Sequence, residues 1–173
     1  MWLKLAGGVL VLLVSSRVGF QLAARCSGRP QQIRQIVSCL GSLKSYITYA
    51  SLPLHEALIQ CTHGTYGPVA DFFHHIATLL EQNDGLSPQQ AINTVLGDMQ
   101  GQLMLKEPEL EVISILGANL GIMNRQEQGN YLSMIIEQLE KFEGEAARLR
   151  DLNTKMYRYL GICGGLAIVI ILV

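Results

Sequence analysis

Two uncharged apolar runs, with the nearest basic residues gathered on their inner flanks, constrain this 173-residue chain more than any other feature. Leu5 to Ser16 (LAGGVLVLLVSS) carries no charge, and neither does Tyr159 to Val173 (YLGICGGLAIVIILV). Inside the first run come Arg17, Arg25, Arg29, Arg34 and Lys44; before the second come Arg148, Arg150, Lys155 and Arg158; only Lys4 lies outside. Lys and Arg collect on the cytoplasmic side of membrane-spanning helices. The pattern predicts an N-terminal transmembrane helix within 1–24, a cytoplasmic body over 25–155 and a C-terminal transmembrane helix over 156–173. Both termini then lie outside and the body inside.

Neither run is a comfortable span. Fifteen helical residues, the length of the second run, cover roughly 22 Å of a hydrocarbon core about 30 Å thick. Arg17 and Arg158 meet part of the shortfall by laying their methylenes along the core and snorkelling. Trp2, Tyr157 and Tyr159 stand at aromatic-belt positions, and local bilayer thinning covers the rest. A first run this short also suits a cleaved secretory signal. Against that, Leu22-Ala23-Ala24 places a bulky Leu in the small-x-small site, and Arg17 directly follows Val14-Ser15-Ser16. The lipoprotein pattern fails too, because Arg25 precedes Cys26. The rival reading is an exported helical binding domain with a cleaved signal and a C-terminal anchor.

Charged residues make up 16% of the chain and hydrophobic ones 49%, a balance that leans away from a soluble enzyme. From Ser45 to Leu105 there is no Lys or Arg, while Glu56, Asp71, Glu81, Asp84 and Asp98 fall there. A body that is acidic away from the membrane excludes a nucleic-acid partner, which would want a basic face. Its basic ends suit anionic lipid headgroups. Cys163 lies in the second run, leaving Cys26, Cys39 and Cys61 elsewhere, an odd number that fits free thiols in a reducing cytoplasm.

Between the runs, proline punctuates. Pro30, Pro53, Pro68, Pro88 and Pro108 each suit the first position of a helix, where a missing N–H does no harm. Ile33, Ile36, Val37, Leu40, Leu43 and Ile47 mark the inward face of the first helix, to about Tyr49. Pro53 predicts a short helix to about Cys61, with Leu54, Ala57 and Leu58 inward. Pro68 opens a helix carrying Val69, Phe72, Phe73, Ile76, Leu79 and Leu80, and Asn83-Asp84-Gly85 is a turn. Ser87-Pro88 caps a helix with Ala91, Ile92, Val95 and Leu96, and Pro108 begins one with Leu110, Ile113, Leu116 and Leu120. From about Gln126 apolar residues recur at three and four through Leu132, Ile135, Leu139, Phe142, Ala146, Leu149, Leu152 and Met156. Gly144 costs only about 1 kcal/mol there, so this helix is expected to run into the second apolar segment. No stretch alternates with period two. The fold class is all-α, a bundle of about six helices.

The chain shows no active-site pattern. Cys61-Thr62-His63 with His74-His75 is the one metal-like cluster, and adjacent histidines on a helix point about 100° apart. A metalloenzyme would need His63 or His74 as ligands, and ordinary histidines explain the cluster better. There is no phosphate-cradling glycine loop and no nucleophile elbow. Glu107, Glu109 and Glu111 read as a helix N-terminus, and Glu137, Glu140, Glu143 and Glu145 with Lys141, Arg148 and Arg150 as a solvated face. No catalytic residue, metal or cofactor is expected. Gly161 and Gly165 form a GxxxG pair suited to close membrane-helix packing, against Gly7 and Gly8 or another copy.

Arg29-Pro30-Gln31-Gln32-Ile33-Arg34, then Tyr49 and Pro53-Leu54-x-Glu56-Ala57-Leu58, resembles the stage III sporulation protein AB family of endospore-forming bacteria. Leu120-Gly121 with Asn124-Arg125-x-x-Gln128 resembles its second block, and the terminal Gly-Gly-Leu-x-Ile-Val-Ile run its tail. Asn124 stands where an acid is usual. The resemblance covers nearly the whole chain. It implies likeness to the F-type platform proteins of type II secretion and type IV pilus machines, whose cytoplasmic domains are six-helix bundles. It further implies a place in the mother-cell membrane around the forespore, within a channel-like complex, with a secretion-type ATPase of the same operon as partner. Arg29, Arg34, Glu56, Arg125 and Gln128 are then the candidates for partner contact or for locking the bundle; the plainer reading makes them polar ties within it.

Overall fold

The computed structural model describes residues 27–50, 52–83, 85–120 and 123–172, with the backbone alone for 157, 158 and 160–172. Among the described residues there are six α-helices and no strand: α1 (Gly28–Ser45), α2 (Leu54–Gln60), α3 (Pro68–Gln82), α4 (Pro88–Asp98), α5 (Glu107–Asn119) and α6 (Arg125–Leu172). A π-helical turn, Tyr46–Ala50, continues α1. The chain divides into two compact units, Gln31–Gly144 and Met1–Pro30 with Glu145–Val173.

The first unit is the bundle. Its four prolines, and Pro30 just before it, sit near helix starts, though not all at the first position. Pro68 and Pro88 open α3 and α4, Pro53 is the residue before α2, Pro108 is second in α5 and Pro30 third in α1. All five positions are harmless for one reason: the first four N–H groups of a helix have no partner within it. Ser87 caps α4, accepting from the Gln90 N–H at 3.2 Å while the Gln90 side chain accepts from the Ser87 N–H at 3.1 Å. At the α3 start Gly67 has φ +80°, a left-handed conformation that side chains resist.

Successive helices pack as neighbours, α2 on α3, α3 on α4 and α4 on α5. The core is Ile33, Ile36, Leu40 and Leu43 of α1, Phe72, Phe73 and Ile76 of α3, Ile92 and Val95 of α4, Ile113 and Leu116 of α5, and Leu132, Ile135 and Leu139 of α6. Phe72 and Phe73 meet edge to face, centroids 5.4 Å apart. Val37, expected inward, is half-buried, and Cys39 is buried in its place on the helix. Helices α4 and α5 approach closely at Gly117, where a Cβ would stand 2.5 Å from the Gln89 Cα. Gly129 of α6 similarly faces Thr48 in the π turn, with 3.1 Å for a Cβ.

In the second unit the described residues are few: the start of α1 and the later part of α6. Helix α6 runs unbroken for 48 residues, so no joint interrupts it near Asn153-Thr154. Among the described residues no helix is long and apolar enough to cross a membrane. The first apolar run lies outside the described residues, as do the surroundings of 160–173 in the second, so nothing is shown of what Gly161 and Gly165 pack against. The structure therefore lends no support to either expected transmembrane helix.

Candidate interaction surfaces

The five residues singled out by sequence differ in exposure and in partners. Arg34 lies on the exposed side of α1, and its guanidinium donates to Glu143 of α6 at 2.5 Å. That bridge ties the first and last helices of the bundle, and its exposure limits it to under about 1 kcal/mol. Gln128 is buried in the first turn of α6, where its Nε2 donates to the Met123 carbonyl at 3.0 Å. Arg125 is exposed at the start of that helix. Glu56 is exposed on α2, and Arg29 is half-buried in the other unit. Arg29, Arg125 and the buried Glu109 all make further interactions within the protein.

Two buried polar residues of the bundle have roles that the sequence did not show. Gln32, buried in α1, holds the α4–α5 loop with both ends of its amide: Oε1 accepts from the Met104 N–H, and Nε2 donates to the Gln102 carbonyl at 3.4 Å. Its place one turn before Ile36 on the apolar face was the available signal. Glu109, read as a dipole partner of α5, is fully buried and accepts from the Lys106 N–H at 2.8 Å. A carboxylate so buried demands such partners. Under this loop a cleft of about 560 Å³ opens between the end of α4 and the start of α5, lined by Leu96, Met99, Leu103, Leu105, Lys106 and Leu110.

The metal-like cluster resolves into ordinary hydrogen bonding. His74 Nε2 lies 3.1 Å from Thr62 Oγ1, tying α3 to the end of α2, while His63 Nδ1 faces the Gln60 carbonyl at 3.3 Å. Among the described residues no group of His, Cys, Asp and Glu is placed to hold a metal ion. Cys39 and Cys61 are free thiols, both buried. Cys61 donates to the Leu58 carbonyl at 3.1 Å, and Cys39 Sγ lies 3.5 Å from Thr65 Oγ1. A hydrogen bond with Cys61 lowers the Cys39 thiol to about 7, with Thr65 helping and burial opposing. The same hydrogen bond, then burial, pushes Cys61 far up. Such an enclosed pair tunes a proton but offers no open nucleophile.

The largest exposed apolar groups are Tyr49 and Tyr66, 84% and 81% accessible, in the π turn and the α2–α3 loop. On α6, Leu149, Leu152, Met156 and Tyr159 are also exposed.

Residues 4–173 match the profile of the family described as stage III sporulation protein AB. The stage III sporulation protein AB of Bacillus subtilis (strain 168) is 32% identical over 170 residues, 98% of this chain and 99% of that protein. A solved structure of a stage III sporulation protein AB superposes with a TM-score of 0.66 at 31% identity, over 72% of this chain and 98% of that one. The fold and the full-length match agree, and this chain belongs to the stage III sporulation protein AB family.

Proposed function

We propose that this protein is a non-enzymatic membrane platform component of a sporulation-specific, secretion-like channel complex linking mother cell and forespore. Its bundle faces the cytoplasm and couples a secretion-type ATPase to membrane partners. The observation that carries this reading is α6: one helix runs from the bundle core at Leu132 through the basic stretch to Leu172 in the apolar run. A continuous helix transmits displacement along its axis, as a flexible tether would not. Family membership supports the sporulation role. The charge distribution supports the topology: basic residues flank both apolar runs and the body carries the acids. In this reading residues 1–24 and 156–173 hold the two membrane helices, Gly161 and Gly165 pack one helix against a neighbour, and Arg29, Arg34, Glu56, Arg125 and Gln128 belong to the partner-facing or bundle-locking set.

Topology tests it most directly. A reporter fused after Gln100 should read cytoplasmic, and the intact chain should resist carbonate extraction. An extracytoplasmic readout, with loss of the first run from the mature protein, would establish the exported-domain alternative instead. For the ATPase, co-purification from sporulating cells should weaken on Glu56→Lys; unchanged recovery would remove Glu56 from the contact.

A further inference from the structure

We infer that copies of this protein associate head to tail, the basic, apolar-striped stretch of α6 in one copy docking on the acidic α2–α3 face of the next. Charge separates cleanly between the two units. Met1–Pro30 with Glu145–Val173 holds eight Lys and Arg against two acids, a formal +6, while Gln31–Gly144 holds five against twelve, a formal −7. Each unit is far from neutral although the whole chain is nearly so.

Both units expose groups suited to contact. On α6, Leu149 and Leu152, ahead of the membrane helix proposed for 156–173, are 47% and 57% accessible. Their step of three matches the spacing along which one helix packs on another. Exposed Arg148 and Lys155 stand beside them. On the bundle, Glu56 and Ile59 lie three residues apart on the exposed side of α2, which is flanked in the chain by the exposed tyrosines Tyr49 and Tyr66. The Thr62–His74 contact joins α2 to the exposed face of α3, which carries Asp71. The chain carries no Lys or Arg from Ser45 to Leu105, and exposed tyrosines beside acidic residues in the chain are common anchors of a protein contact.

The occupant follows from complementarity. An anionic lipid surface would satisfy the α6 stretch alone and repel a bundle of formal charge −7. A second copy satisfies both patches at once. Because the patches differ, the contact is heterologous, and it closes into a ring or extends as an array.

Sedimentation of the full chain in uncharged detergent tests this. Association should be strong near 0.1 M salt and fall at about 1 M, where the screening length drops from about 10 to 3 Å. The variants Arg148→Glu/Lys155→Glu and Glu56→Lys/Asp71→Lys should each self-associate roughly tenfold more weakly, and an equimolar mixture should recover association. Recovery also proves both variants folded. Tyr66→Ser, with all charges in place, should weaken the parent contact. Unweakened association of either charge variant, a mixture that stays dissociated, or an unaffected Tyr66→Ser overturns the proposal. So does loss of anionic-vesicle binding by Arg148→Glu/Lys155→Glu with self-association intact, which would assign the stripe to lipid. Purified chain alone is used, so the outcome is independent of topology and of the ATPase contact.

Discussion

The bundle and the later part of α6 are built from the same helical material toward opposite ends. In Gln31–Gly144, apolar residues face inward: Phe72, Phe73, Leu132 and Leu139 are almost wholly inaccessible. In Glu145–Val173, the same three–four periodicity continues through Leu149, Leu152 and Met156, but those residues face solvent. Periodicity alone does not say whether a stripe is core. What distinguishes the two is whether other helices cover it, and the charges follow suit, acids decorating the covered bundle and bases the uncovered stretch. The first region buries its apolar stripe and the second leaves it exposed.

The largest effect should come from cutting into that difference. Phe72→Ala, removing a buried ring, should cost about 3–5 kcal/mol in denaturant unfolding, whereas Leu152→Ala should change it by less than about 0.5 kcal/mol. Equal costs would mean the α6 stripe is covered after all. Glycines sharpen the contrast on a smaller scale. Gly117→Ala drives a Cβ into the Gln89 backbone and should destabilise by about 1–3 kcal/mol. Gly144→Ala, on the same kind of helix with nothing within 4 Å, should stabilise by up to about 1 kcal/mol. Thermal melts of the two variants should move in opposite directions.

The subtlest test concerns the buried thiols. Cys39 is held at about 7 against an ordinary 9.0, so it contributes stability that is present above pH 9 and lost as pH falls through 7. Cys61, held high, contributes in the opposite sense, stability that is lost as pH rises above its ordinary 9.0. In Cys61→Ala the hydrogen bond that lowers Cys39 is gone. Thiolate absorbance should then report Cys39 titrating well above 7, and the gain in stability between pH 7 and 9 should shrink. A Cys39 titration unmoved by the change would assign its low value to Thr65.

Helix starts were legible because they are local. Pro68 and Ser87-Pro88 mark theirs through missing or capped N–H groups, and a neighbouring residue or two suffices to read them. The inward faces of α3 to α5 were legible for the same reason. Gln32, Glu109 and the π turn were not. A polar residue on an apolar face is read as a blemish until its distant partner is known, and the partners of Gln32 lie some seventy residues away. The π turn changes which carbonyl each N–H meets while leaving the apolar spacing nearly intact. As for the candidate surface, its motif residues were identified by resemblance, and only three-dimensional placement separated exposed Glu56 from inward Gln128.

The stretch from α2 to α4 has a practical consequence as well. With no lysine or arginine between Ser45 and Leu105, trypsin releases it as one long peptide, and amine-directed cross-linkers are blind to it. Lysine acylation has no foothold on these three helices. Mapping partners by amine chemistry would report contacts everywhere but there, and a silent α2–α4 would be mistaken for a bare one. Carboxyl-directed coupling through Glu56, Asp71, Glu81 and Asp98 is the chemistry that sees this side of the molecule.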